Sequence, residues 1–252
     1  MTVRYEINPP KMPGDKMLSD NDLKKLLDKL KKRIAELSKS CNGIHITDSV
    51  LGIKRISPIT TGEIIRKNHH NLRITVSLRV RDKSLSVIEK SVRDAIEFGF
   101  EGILILKGDE TTENPKDSGL IPSQVVKHLK KLGLGNKINL FLSLPVNPNF
   151  NKIQKKIDSK PAGFITQVVE SVDQVSRIVN GLKTHNFKII PIVLFPSDKN
   201  LKSAEFLKLD WSNYKENVID FIENVHSLTG DILVTSPNDF KGAQMALSKL
   251  AI

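Results

Sequence analysis

Residues 99–110 read GFEGILILKGDE. An amphipathic stretch at 84–98 precedes this segment, GILIL at 102–106 is apolar throughout, and Lys107, Gly108, Asp109 and Glu110 follow as a polar tip. A short strand apolar along its whole length suits a parallel sheet covered by helices better than a strand with one wet face. The same succession of helical and strand patterns runs through the chain, without a short sequence repeat. Strand patterns are TVRYEI (2–7), GIHIT (43–47), LRITVSLRV (72–80), GILIL (102–106), INLFLSL (138–144), GFIT (163–166), FKIIPIVLF (187–195) and DILVT (231–235).

Helical patterns fill the intervals. Leu23, Leu26, Leu27, Leu30, Ile34 and Leu37 form one apolar stripe, opened by Ser19 with Asp22 three positions on. Ser171 and Gln174 have capping-box spacing ahead of the stripe Val175, Ile178, Val179 and Leu182. Further helices are expected near 60–69, 84–98, 121–132, 150–158, 200–208 and 213–229, with a last one from about Asn238 to the chain end. Eight strands separated by helices in 252 residues is the arithmetic of an α/β protein built as a single (β/α)8 TIM barrel over 1–252, with an extra helix between strands seven and eight. The runner-up is an open doubly wound sheet, but no Gly-x-Gly-x-x-Gly follows strand one.

Composition narrows the function classes. A hydrophobic share of 39% suits a globular core, and no apolar run is long enough to cross a bilayer. The opening residues lack a signal-peptide pattern, so a cytoplasmic protein is expected. The single cysteine, Cys41, can form neither an internal disulfide nor a thiolate metal cluster, and no fixed-spacing His/Asp/Glu set suggests a metal. The net charge of +11, from 39 basic and 28 acidic residues, favours polyanions, phosphorylated cofactors or anionic substrates. The lysines are dispersed along helices, as in DLKKLLDKLKKRIAEL, and aromatics are 5% of the chain. That pattern reads as solvated helix faces rather than a nucleic-acid surface with stacking platforms.

A parallel barrel gathers the C-terminal ends of its strands at one mouth, so polar residues there become neighbours. Strand one delivers Glu6 and Asn8, strand two Thr47 and Asp48, and strand three Ser77, Arg79, Arg81 and Asp82. Strand four delivers Lys107, Gly108 and Asp109, strand five Asn147, and strand six Thr166 and Gln167. Each residue alone also has a structural reading. Glu6 suits an ion pair with an arginine, Asp109 a Gly-Asp turn and Gln167 a loop hydrogen bond. His45 reads as packed or surface, and Lys155 and Lys156 as a solvated face.

The strand-end phrases YEINPPK (5–11), HITDSVLGIKRISP (45–58), LRVRDKS (78–84), GFEGILILKGDE (99–110), LPVNP (144–148) and IQKKIDSKPAGFITQ (153–167) together resemble the methylenetetrahydrofolate reductase family. They occur in the family order and cover most of the chain to about residue 196. The resemblance implies a flavin-containing barrel that reduces a methylene-tetrahydrofolate or related methylene-pterin to the methyl form. FAD is the implied cofactor, and NADH, NADPH or a reduced protein carrier the implied electron donor. A homo-oligomer or partner subunit is also compatible with it; no nucleic acid or membrane is implied. On these positions Glu6 takes the role of the acid, Asp109 contacts the pterin and tunes the flavin, and Gln167 positions the pterin or nicotinamide ring. Thr47, Ser77, Arg79, Lys107, Gly108, Asp109, Asn147, Lys155 and Lys156 fall on cofactor-binding positions.

The chain departs from the family at strand three, where H-x-T-C-R-D stands as SLRVRD. Ser77 replaces the flavin-contacting histidine and Arg79 the threonine. The aromatic and histidine of the strand-five loop stand as Leu144 and Asn147. These departures motivate a second reading: a non-flavin pterin-binding barrel acting in methyl transfer or as the degenerate partner of a reductase.

Overall fold

The computed structural model describes residues 1–12, 19–110 and 117–250. Eight strands, β1 (Thr2–Ile7), β2 (Gly43–Ile46), β3 (Arg73–Arg79), β4 (Gly102–Leu106), β5 (Asn139–Leu144), β6 (Gly163–Val168), β7 (Lys188–Leu194) and β8 (Asp231–Thr235), form a closed barrel in sequence order. Every neighbouring pair is parallel. The ring closes where Thr2 and Tyr5 pair with Asp231 and Val234. Helices α1 (Asp20–Leu37), α2 (Pro58–Arg66), α3 (Leu85–Glu97), α4 (Pro122–Lys131), α5 (Gln154–Ile157) and α6 (Val172–Leu182) alternate with the strands. Two helices, α7 (Leu201–Leu207) and α8 (Val218–Thr229), lie between β7 and β8, and α9 (Phe240–Leu247) follows β8. The alternation expected from the sequence is therefore a (β/α)8 barrel. Among the described residues no helix is long and apolar enough to cross a membrane.

The caps form as the sequence suggests. The Asp22 amide donates to Ser19 Oγ at 3.2 Å, and the Gln174 amide to Ser171 Oγ at 3.2 Å. The Gln174 side chain turns back to accept from the Glu170 amide at 2.8 Å, fixing the entry into α6. Boundaries differ where tertiary contacts compete with periodicity. The helix expected at 150–158 is only the four-residue α5, and the one expected at 213–229 begins at Val218. Tyr214 is drawn into the core instead, its hydroxyl donating to Leu194 O at 3.1 Å and its ring stacked on Phe221. The last helix starts at Phe240 because Asp239 caps it, accepting from the Gly242 amide at 3.3 Å.

Period-two alternation splits the apolar residues into two layers. Ile44, Ile74, Ile103 and Leu140 belong to the layer between the strands and the helices. Leu104, Phe141, Ile165, Ile190 and Leu233, one from each of β4 to β8, form a separate cluster inside the ring. The interior is thus apolar on one side only. On the β1–β3 side its residues are polar: Arg4, Glu6, His45, Thr75, Ser77 and Arg79. At the N-terminal end, Arg4 is fully buried and donates to Asp231 at 2.8 and 2.7 Å and to Glu101 at 2.9 Å. Lys188 adds contacts of 2.8 Å to Asp231 and 3.2 Å to Glu101. Side chains from β1, β7, β8 and the turn before β4 meet only across the inside of the ring, so this network plugs the end opposite the strand tips.

Candidate active site at the barrel mouth

Glu6 occupies the last inward position of β1, opposite His45 in register. Its carboxylate accepts a 2.7 Å hydrogen bond from the Thr235 hydroxyl at the tip of β8. Burial pushes the Glu6 carboxyl above the usual carboxylate range, and the Thr235 bond offsets this only in part. Glu6 and Thr235 open onto a cavity of about 420 Å³ bordered by β1, the β8 tip and α1. A carboxyl whose pKa is raised by burial, at a cavity edge where strand tips converge, is an arrangement suited to acid chemistry.

Below Glu6, His45 is buried between Thr75 and Ser77. Thr75 donates its hydroxyl proton to Ile44 O at 3.2 Å, so it accepts from His45 Nδ1 at 2.9 Å. Nε2 is then the acceptor for the Ser77 hydroxyl at 2.9 Å. Burial, helped by the charge of Arg4, lowers the His45 pKa from 6.5 to about 3, and the ring stays neutral. In the unfolded chain the ring takes up a proton near its ordinary pKa. Stability is therefore expected to fall as pH drops from 6.5 towards 3, and His45→Gln to flatten that limb in urea midpoints measured against pH.

The residues expected to face a cofactor divide into two groups. On β2 and β3 they are closed. Thr47 is buried and donates to Asn8 Oδ1 at 2.7 Å, and Ser77 is held by His45. Arg79 is 1% exposed, with its guanidinium 3.0 Å from Asp82. Gly108 lies directly over the Arg79 stem: a Cβ there would sit 2.7 Å from Arg79 Cγ, and φ is +84°. Lys107 points to Asp117 at 2.5 Å, and Arg81 donates to Gly108 O at 3.1 Å. The β3 and β4 tips are clamped together by these contacts, with Arg79 filling the space beneath.

The other group lies on the β4–β6 rim. Asp109, Asn147 and Gln167 are exposed there, and Lys155 is exposed on α5. Asn147 accepts from Arg177 at 3.3 Å, whereas Lys156 is half-buried and donates to Ser143 O at 2.7 Å. Burial lowers the Lys156 pKa. Gln167 owes its exposure to a bulge: β6 spends two residues, Thr166 and Gln167, where β7 spends one. The Thr166 hydroxyl fills the gap, accepting from the Ile192 amide at 3.2 Å and donating to Gln167 O at 2.6 Å. Glu6, Asp109 and Gln167 therefore share one end of the barrel, on β1, after β4 and on β6.

As placed, the β2–β3 side chains do not form a cradle for a flavin ring, because Ser77 and Arg79 are turned to protein partners. Among the described residues no group of His, Cys, Asp and Glu could hold a metal ion. Thr235, the partner of Glu6, is a residue the strand-tip argument reaches as soon as it is carried on to DILVT. The role of His45 inside the ring has no such signal, since a histidine next to apolar residues reads equally well as packed or surface.

No protein-family model and no curated protein matches the chain. Among solved structures 729 chains match. One of them, "QR15, an Aldolase", covers 97% of this chain and 90% of its own length, with a TM-score of 0.51 and 9% identity. The likeness is one of fold. A barrel shared so widely hosts unrelated chemistries, and activity has to be argued from the mouth itself.

Proposed function

We propose that the chain is an oxidoreductase that reduces a methylene-carrying tetrahydrofolate or related pterin to the methyl form, with Glu6 as the acid. The observation that carries this reading is the Glu6 carboxyl, held by Thr235, pushed towards its protonated form by burial and facing a cavity at the strand tips. Opening a methylene bridge between two nitrogens leaves a cationic iminium, and the departing nitrogen needs a proton. Glu6 supplies that proton, and its carboxylate then stabilises the cation. Hydride from NADH, NADPH or a reduced protein carrier completes the step: carbon gains the hydride, nitrogen the proton, and the donor is oxidised by two electrons. In this reading Asp109 and Gln167, both exposed at the same end of the barrel as Glu6, orient the ring, although neither lines the cavity at Glu6.

FAD is the hydride carrier that the resemblance implies and forms part of this proposal only if Ser77 and Arg79 leave His45 and Asp82. No step is therefore assigned to it. Arg79 beneath Gly108 favours a second reading, a pterin-binding barrel without flavin that acts in methyl transfer or as the partner subunit of a reductase. Flavin content separates the two. In the reductase reading with FAD, the purified chain is expected to show flavin absorption bands or to gain them on addition of FAD. In the flavin-free reading neither occurs, and Arg79→Ala, which empties the space under Gly108, is expected to raise FAD uptake over the native chain.

A further inference from the structure

Charge is unevenly placed along the chain. From Pro122, where α4 begins, to Ala162, just before β6, the sequence has eight lysines and one acidic residue, Asp158, so this stretch holds most of the net +11. Lys127, Lys130 and Lys131 stand at i, i+3 and i+4 on one exposed face of α4. Lys130 is fixed there. Its stem lies against Gly135, where a Cβ would come within 2.7 Å of Lys130 Cγ, and its ammonium donates to Lys160 O at 2.5 Å. That bond holds the turn between α5 and β6, with the exposed Lys160, against the α4 stripe. Lys137, just ahead of β5, is exposed at the same end of the barrel. Leu132 closes α4 directly after Lys131 and is 43% exposed. Two acids at this end are already engaged: Asp158 accepts from Gln154 at 2.8 Å, and Glu101 is held by Arg4 and Lys188.

We propose that this basic flank, centred on Leu132 at the end of the barrel opposite the strand tips, is the docking surface for a partner protein that presents an acidic face around an apolar side chain. The inference is independent of the pterin reading. Charge complementarity selects the partner. A second copy of the chain would bring two basic faces together. Nucleic acid fits less well, because the cations from Pro122 to Ala162 are all lysines, without the planar fork of arginine. The two aromatics of that stretch, Phe141 and Phe150, are buried and half-buried and offer no platform for a base. Lysines around an exposed leucine have the anatomy of an interface, in which rim charges steer the encounter and the apolar centre is desolvated. Ammonium groups stay strongly hydrated, so the complex is one that forms fast and weakens with salt.

Fluorescence anisotropy of labelled probes titrated with the full chain tests this. The probes are a peptide of Glu-Glu-Leu-Glu repeats, the same peptide with serine for leucine, and an RNA duplex. The leucine-bearing peptide is expected to bind at least about threefold more tightly than the serine one, and both to weaken as salt is raised. Lys130→Gln/Lys131→Gln/Lys160→Gln is expected to lose at least about tenfold in peptide affinity. Lys24→Gln/Lys25→Gln/Lys32→Gln removes the same charge from exposed positions of α1 and is expected to lose less than about threefold. Lys131→Gln/Lys137→Gln leaves the contact between Lys130 and Lys160 in place and is expected to act in the same direction as the first triple variant, so the outcome does not hang on that contact. Leu132→Ser is expected to erase the preference for leucine over serine. Equal losses in the two triple variants overturn the site, because binding then follows net charge alone. Absence of peptide binding, or equal affinity of the native chain for the two peptides, overturns it as well. An RNA duplex bound more tightly than either peptide and released by the first triple variant overturns the protein partner in favour of nucleic acid. Self-association of the native chain in light scattering that the same variant lacks overturns it in favour of a second copy.

Discussion

Glu6→Gln is expected to lower turnover of a methylene-pterin by about 10²–10⁴-fold, the usual share of a positioned general acid, while leaving the barrel folded. Glutamine keeps the shape and can still meet the Thr235 hydroxyl, but it has no proton to give to a departing nitrogen. Stability should move the other way. Burial raises the Glu6 pKa above 4.5, so the native state holds its proton to higher pH than the unfolded chain does. The associated stability is present in full below about 4.5 and is lost as pH rises through the native value. Removing the group removes that loss, and near neutral pH Glu6→Gln is expected to be as stable as the native chain or more so. Slower catalysis with an undiminished urea midpoint separates an acid from a structural ion pair. The native rate is likewise expected to fall as pH rises through the Glu6 pKa, and the variant to lose that limb.

The second large effect lies at the opposite end of the barrel. Arg4→Ala is expected to destabilise the fold by about 3–5 kcal/mol in urea unfolding, because it strands Asp231 inside the ring. Asp231 is 1% exposed and accepts two hydrogen bonds from Arg4. Lys188 remains 2.8 Å from Asp231, which places the single variant towards the lower part of that range. Adding Lys188→Met removes the remaining cation paired with Asp231 among the described residues and is expected to deepen the loss beyond that of Arg4→Ala alone. Burial pushes the Glu101 carboxyl up, but the hydrogen bond and charge of Arg4, with Lys188, outweigh it and hold Glu101 below its usual range. Its contribution is present above its ordinary pKa and lost as pH falls through the lowered native value, so Arg4→Ala should also flatten part of the acid limb. Activity per folded molecule should change little, since the network sits away from the strand tips.

The barrel is legible because two periodicities alternate cleanly. Strands such as GILIL are apolar at every position, as they must be when both faces are covered, and each is followed by a stripe of helical spacing. Glu6, Asp109 and Gln167 could be placed at one end for the same reason, since topology alone brings strand tips together. What side chains do at that end is less legible. Arg79 has the position of a mouth residue, yet its guanidinium is drawn under Gly108 by Asp82, an interaction set by two loops whose conformations the sequence pattern does not encode. Ser77 likewise ends on His45, because the β2–β3 register puts a histidine between Thr75 and Ser77. The bulge in β6 hides behind a threonine hydroxyl replacing a ladder partner, with no glycine to announce it.

The measurement that decides most is anaerobic conversion of methylene-tetrahydrofolate by the purified chain, supplied with NADH or NADPH and assayed with and without FAD for the methyl product by mass spectrometry. The expected result is methyl product from the native chain with oxidation of one nicotinamide per methyl formed, reduced at least about a hundredfold in Glu6→Gln. Absence of methyl product with every donor, or a Glu6→Gln chain as fast as the native one, contradicts the assignment of the barrel mouth to this chemistry.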